Sequence, residues 1–178
     1  NNCVDPIQFM GTARDALYKI LKTLNFNEEK KLLLPSYIGV TDREGSGVFD
    51  PVEQTNTPYQ FYTLNKKLSA LKGELYNFIS SGNYCALLII HYFGLCQNDI
   101  NEIVSLCNEN NVLLIEDCAH SMLSETPYGK LGTLGDFSIF SIHKFLATKD
   151  GGCLRVNNKD YEYLLQEPSS TKPNLETL

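Results

Sequence analysis

Apolar residues recur along this chain with two different periods, and the two alternate. From Thr12 the spacing is helical: Ala16, Leu17, Ile20, Leu21 and Leu24 fall three and four residues apart, which predicts a helix over 13–24 capped by Thr12. Leu32 to Leu34 is a short apolar run stopped by Pro35, the pattern of a strand that feeds a loop. Residues 41–47 have no period and read as a loop, and the tyrosine-rich segment after Pro51 carries none either. Leu64, Leu68, Leu71, Leu75 and Phe78 then line one face of a helix expected over 64–79, with Gly73 as its weak point.

Two buried strands, Ala86 to Tyr92 and Val112 to Glu116, flank a helical stretch from Ile100 to Asn108. Strand, helix, strand at this spacing predicts a right-handed parallel unit. Phe137 to Ile142 reads as a third strand, and the Gly151-Gly152 turn leads into a fourth over Cys153 to Val156. Asp160 to Leu165 begins a helix, and Glu167 to Leu178, rich in Pro, Ser, Thr and Lys, reads as a linker.

Composition narrows the class. The chain has 178 residues, 43% hydrophobic and 20% charged, enough for one soluble domain with a sizeable core. Its net charge of −6 provides no basic footprint, so nucleic acid is not an expected partner. The longest apolar runs, Ala86 to Ile90 and Val112 to Ile115, fall short of the ~20 residues of a membrane span. Asn1 to Pro6 resembles no signal peptide and lacks an initiator Met, so both ends are read as fragment boundaries. Cys3, Cys85, Cys96, Cys107, Cys118 and Cys153 form no C-x-x-C pair and read as reduced thiols, which predicts a cytoplasmic chain.

The candidate chemistry gathers where the strands end. Ala86 to Ile90 runs into His91-Tyr92, Val112 to Ile115 into Glu116-Asp117-Cys118-Ala119-His120-Ser121, and Phe137 to Phe140 into Ser141-Ile142-His143-Lys144. Carboxyl ends of parallel strands share one edge of a sheet, and ligands bind there. An amine, a carboxylate and an anion-binding helix start are what pyridoxal phosphate requires. The amine condenses with the aldehyde, the carboxylate keeps the ring nitrogen protonated, and free amides at a helix start hold phosphate. Lys144, Asp117 and the helix start Thr12, Ala13, Arg14, Asp15 are the candidates, with Lys149 as the rival amine in an exposed turn. The three histidines match no metal-ligand spacing, and the Glu44 to Gly47 loop matches no phosphate-loop or dinucleotide pattern.

These residues resemble the DegT/DnrJ-type nucleotide-sugar aminotransferases, a family of fold type I pyridoxal-phosphate enzymes. Ile115-Glu116-Asp117-Cys118-Ala119-His120-Ser121 is similar to that family's I-E-D-A-A-H/Q-S/A block, and Gly135 to Ser141 to its G-D-x-x-x-F-S strand. Lys144 stands seven residues before Gly151, as in the family's K-N-L-T-T-G-E-G-G. His91-Tyr92-Phe93-Gly94 resembles its H-L/Y-x-G segment, and Ala13 to Leu17 its phosphate-binding helix start. The resemblance implies a three-layer α/β/α large domain with a mostly parallel sheet over residues 1–160. Residues 161–178 would then lead toward a small C-terminal domain. It implies that Lys144 carries the cofactor as a Schiff base, Asp117 meets the ring nitrogen, His120 bonds the phenolic oxygen and Ser141 reaches the phosphate. The implied reaction moves an amino group from a donor such as glutamate to a nucleotide-linked keto-sugar for polysaccharide biosynthesis, in a homodimer.

The sequence departs from the family pattern in two loops. Between Ser141 and Lys144 two usual residues are missing, and the segment from Pro35 to Asp50 is several residues short, which predicts the loss of a helix. Gly39 occupies the place of the aromatic residue that stacks on the cofactor ring, which makes Tyr37 the candidate for that contact. The alternatives are a non-catalytic module on the same fold, and a pyridoxal-phosphate sugar dehydratase, in which histidine usually replaces the lysine.

Overall fold

The computed structural model describes residues 6–42, 45–149 and 151–166. The expected linker over 167–178, Cys3, residues 43 and 44 of the 41–47 loop and Asp150 of the glycine turn lie outside the described residues. In chain order the elements are β1 (Ile7–Met10), α1 (Ala13–Thr23), β2 (Lys31–Pro35), α2 (Phe49–Gln54), β3 (Tyr59–Tyr62), α3 (Lys72–Ser80), β4 (Tyr84–Ile90), α4 (Ile100–Glu109) and β5 (Leu113–Asp117). A two-residue hairpin pair, β6 (Glu125–Thr126) and β7 (Gly129–Lys130), precedes β8 (Phe137–Ser141) and β9 (Gly152–Val156), and a 3₁₀ helix over Lys159–Leu165 closes the described chain.

Seven strands form one sheet in the order β1-β9-β8-β5-β4-β2-β3. Strands β3, β2, β4, β5 and β8 pair in parallel, while β9 runs antiparallel to both β8 and β1. Helices cover both faces, so successive residues of a central strand enter opposite cores. Leu32, Leu34, Ala86, Leu88 and Ile115 pack with α1, whereas Leu33, Leu87, Ile89 and Leu114 pack with α3 and α4. Each fully buried Leu or Ile contributes roughly 1.5–3 kcal/mol of transfer free energy, which is why these strands read as unbroken apolar runs. Leu164 of the closing 3₁₀ helix is fully buried in the α1-side core. Among the described residues no helix is long and apolar enough to cross a membrane.

The long helix expected over 64–79 is shorter, Lys72–Ser80, and the reason is local. The Asn65 side chain accepts the amides of Lys67 and Ser69, and Leu68 takes a left-handed φ of 59°. An asparagine that bonds its own downstream backbone competes with the helical ladder, so the chain turns first and the helix starts later. The tyrosine-rich segment without a period is the edge strand β3, pairing Leu32 with Tyr59 through Pro35 with Tyr62. An edge strand buries only part of one face, and three of the four β3 residues are exposed. Residues 36–42 and 45–48 carry no helix, and α2 follows with Pro51 in its first turn.

Candidate functional site

Strand β5 places Asp117 at the centre of the sheet edge, in register with Ile90 of β4 on one side and Ile139 of β8 on the other. The Asp117 carboxylate accepts the Ala119 amide at 2.9 Å, which turns the chain sharply and carries His120 over the strand end. Past Ser141, a 3₁₀ turn over Ile142–Lys144 brings the lysine back across the same edge. There Lys144 Nζ lies 3.0 Å from His120 Nε2. Burial pushes the Asp117 carboxyl above its ordinary range, while the Ala119 amide and the charges of Lys144, His120 and His91 pull it down. Burial and the Lys144 cation both lower the His120 imidazole, so at neutral pH His120 is the acceptor and Lys144 the donor. Asp117, His120 and Lys144, expected at one pocket from the sequence, thus occupy one neighbourhood.

A second neighbourhood forms around Gly152. It pairs with Ser141 of β8 and with Met10 of β1, and a Cβ there would stand 2.0 Å from the Thr12 carbonyl carbon and 2.3 Å from the Ala13 nitrogen. Only glycine allows the start of α1 to come this close to the start of β9, beside the end of β8. Thr12 and Asp15 form a reciprocal capping box: the Asp15 amide donates to Thr12 Oγ1, and the Asp15 carboxylate accepts both the Thr12 amide and its hydroxyl. Two of the four expected amide donors are therefore engaged inside the box, and the Ala13 amide has no intrahelical partner. Arg14 turns toward α2, with Nη1 at 3.5 Å from Asp50 Oδ2. His143, which the sequence left unassigned, lies with Nδ1 3.3 Å from the Ser141 hydroxyl.

Tyr37 is more than half exposed, and its carbonyl accepts the Tyr92 hydroxyl at 2.5 Å, with the two rings 5.9 Å apart. Burial, the Asp117 charge and Tyr37 together push the Tyr92 phenol far up. The Gly39 position is open: a Cβ there meets nothing within 4 Å.

Sequence reasoning missed the support beneath the site. Glu116, fully buried, accepts His91 Nε2 and the Gly132 amide on one oxygen, both at 3.0 Å, and the Leu134 and Gly135 amides at 2.8 and 2.7 Å on the other. Burial alone would raise this carboxyl, but His91 and the Gly135 and Gly132 amides bring it below its ordinary value. His91 Nδ1 in turn accepts the Gln97 amide at 3.3 Å. Ligand-capable atoms of His91, Glu116 and Cys118 come within 4.8 Å of one another. Both Glu116 oxygens are already doubly bonded within the protein, so the group works as a core hydrogen-bond hub. A buried acid beside the predicted aspartate was the available signal, since an unpaired buried carboxylate is untenable.

Several solved structures share this architecture. PseC of Helicobacter pylori, an aminotransferase involved in the biosynthesis of pseudoaminic acid, superposes with a TM-score of 0.74 at 16% identity, covering 90% of this chain and 42% of that one. Sugar aminotransferase CalS13 of Micromonospora echinospora gives 0.74 at 19% identity, over 90% of this chain and 44% of that one. In sequence, 155 residues are 29% identical to the dTDP-4-dehydro-2,3,6-trideoxy-D-glucose 4-aminotransferase of Saccharopolyspora spinosa, covering 84% of this chain and 38% of the relative. A 70-residue stretch is 39% identical to the UDP-4-amino-4,6-dideoxy-N-acetyl-beta-L-altrosamine transaminase of Campylobacter jejuni, covering 38% of this chain and 19% of the relative. The chain thus spans about two fifths of the length of the solved structures it matches. The family model that matches covers residues 78–167, half of the chain, and with it β4, β5, β8 and the residues at their ends. By that match the chain belongs to the DegT/DnrJ/EryC1/StrS aminotransferase family, whose members depend on pyridoxal phosphate.

Proposed function

We propose that this chain is the cofactor-binding part of a sugar aminotransferase, with Lys144 as the residue that holds pyridoxal phosphate. The observation that carries the reading is the contact of Lys144 Nζ with His120 Nε2 at 3.0 Å, over the strand end that presents Asp117. The donor set fits the group: an amine, a buried acid and a glycine-opened helix start next to a serine lie along one sheet edge. When bound, the cofactor supplies a protonated ring that stabilises negative charge at the substrate carbon. Asp117 would hold the ring nitrogen protonated, and that added cation would draw its carboxyl back toward ionisation. Neutral His120 would direct a hydrogen bond to the ring oxygen once Lys144 is engaged. Ser141 and the Ala13 amide would take the phosphate, and Lys144 Nζ, once released, would hold and move the proton between the substrate carbon and the former aldehyde carbon of the cofactor.

The finer reading is a nucleotide-linked keto-sugar as acceptor and an amino acid such as glutamate as donor. It is supported by the names of two relatives, one for a nucleotide-linked keto-sugar and the other for a nucleotide-linked amino-sugar. We place the enzyme in the cytoplasm, where the thiols of Cys85, Cys96, Cys107, Cys118 and Cys153 stay reduced, and read it as a homodimer in which residues 161–178 lead toward a small domain. A non-catalytic module is the rival reading, favoured by the open Gly39 position. Borohydride reduction of the full-length protein followed by peptide mass spectrometry tests both. The pyridoxyl mass is expected on Lys144; its appearance on another lysine, or on none, overturns the proposal.

A further inference from the structure

Phe93 is an aromatic side chain held in an unfavourable place. It is 73% exposed and its backbone is left-handed, with φ 56° and ψ 24°. Single exposed apolar residues are ordinary, but a bulky non-glycine residue at positive φ is an outlier that calls for a reason. Its surroundings supply one. The Phe93 ring lies parallel to the His120 ring, at an interplanar angle of 2° with centroids 6.4 Å apart, and His120 is the imidazole that takes the Lys144 amine.

The turn that carries Phe93 is clamped on both sides. Tyr92 bonds the Tyr37 carbonyl, tying the turn to the loop after β2. Gly94, at φ 82°, sits so close to the His120 carbonyl that a Cβ would stand 2.8 Å from it, and the Gly94 carbonyl accepts the Ser124 hydroxyl at 2.8 Å. Meanwhile the loop after β2 offers no aromatic side chain at Gly39. Aromatic rings prefer offset parallel packing, so a planar ring entering beside His120 meets Phe93 as an extension of the same surface.

We propose that the turn Tyr92–Gly94 supplies the aromatic face of the cofactor site, with Phe93 contacting the pyridine ring in place of a residue at position 39. This rests on the pyridoxal-phosphate reading above. The test titrates the full-length protein with pyridoxal phosphate, following the visible absorbance band, and compares wild type with Phe93→Gly, Phe93→Leu and Phe93→Tyr. Glycine relieves the left-handed backbone, so Phe93→Gly keeps or raises the melting temperature while its Kd for pyridoxal phosphate weakens about three- to tenfold. Phe93→Leu, which keeps bulk without a π face, weakens binding similarly, and Phe93→Tyr binds as wild type does. Wild-type affinity in the Gly and Leu variants, or a Tyr variant as weak as Leu, overturns the inference while leaving the cofactor reading intact. A wild-type protein that develops no band overturns the cofactor reading, and this inference falls with it.

Discussion

Replacing Glu116 by Gln should unseat the floor of the site, and the loss can be worked out atom by atom. Glu116 accepts four hydrogen bonds, two on each oxygen, from His91 and from the Gly132, Leu134 and Gly135 amides. A glutamine has one accepting oxygen. If that oxygen serves Leu134 and Gly135, the new NH₂ group faces the Gly132 amide and His91 Nε2, donor against donor. His91 cannot relieve the conflict by moving its proton to Nδ1, because Nδ1 already accepts the Gln97 amide. Two buried donors are left unsatisfied at roughly 1–3 kcal/mol each, so the variant should lose about 2–6 kcal/mol. Against a total stability of about 5–15 kcal/mol that is a large fraction. The Glu116 carboxyl sits below its ordinary value in the folded protein, so its contribution is present above the unfolded pKa and disappears as pH falls through the folded one. Urea unfolding followed by circular dichroism at pH 7 and again in acid measures both effects. A difference under about 1 kcal/mol at pH 7, or one that does not shrink in acid, refutes the reasoning.

Gly152→Ala pushes a methyl into the Thr12-Ala13 backbone and should destabilise by about 1–3 kcal/mol while weakening cofactor binding. Gly73→Ala, whose Cβ meets nothing within 4 Å, is the neutral or slightly stabilising control in the same thermal melt. His120, followed by its ring proton in NMR, should titrate below the ordinary value of 6.5, and Lys144→Ala should move that midpoint upward by removing the cation. A midpoint unmoved by Lys144→Ala means the two side chains do not share a site. Gly39→Trp places an indole in open space on a backbone that tolerates a side chain, and with Phe93 supplying the aromatic face it should leave the affinity for pyridoxal phosphate unchanged. A several-fold lower Kd in the spectral titration would show that position 39 faces the ring instead.

Much of this was legible from the residues because the central strands bury both faces. Unbroken apolar runs such as Ala86 to Ile90 can hardly be anything else, and a run that ends in Glu116-Asp117 announces the sheet edge. The helix start at Thr12 was equally plain, since capping is written in one residue and its third neighbour. Edge strands were not legible: β1 and β3 are short, and Tyr59 to Tyr62 exposes three of four residues, so no period survives. Nor was the α3 start, where one asparagine side chain overrode a good apolar stripe. At the site, the juxtaposition of Asp117, His120 and Lys144 followed from their positions at strand ends. The His91–Glu116 hub did not, because its meaning lies in which backbone amides the Gly132–Gly135 loop aims inward, and pattern carries no such information.

The antiparallel strand β9 explains why so few residues suffice. Every parallel strand delivers its last residue to the working edge, but β9 delivers its first, so Gly152 arrives where Ser141 and Met10 leave. The connection from β8 to β9 therefore has both of its described ends at that edge. It carries His143 beside Ser141, Lys144 over to His120, and Gly151 back under Ile142, whose amide donates to the Gly151 carbonyl at 2.9 Å. An amine at one end of this short connection and a helix-start cradle at the other are thereby fixed relative to each other by sheet pairing on both sides. The connection closes because its ends are set by the Ser141–Gly152 register.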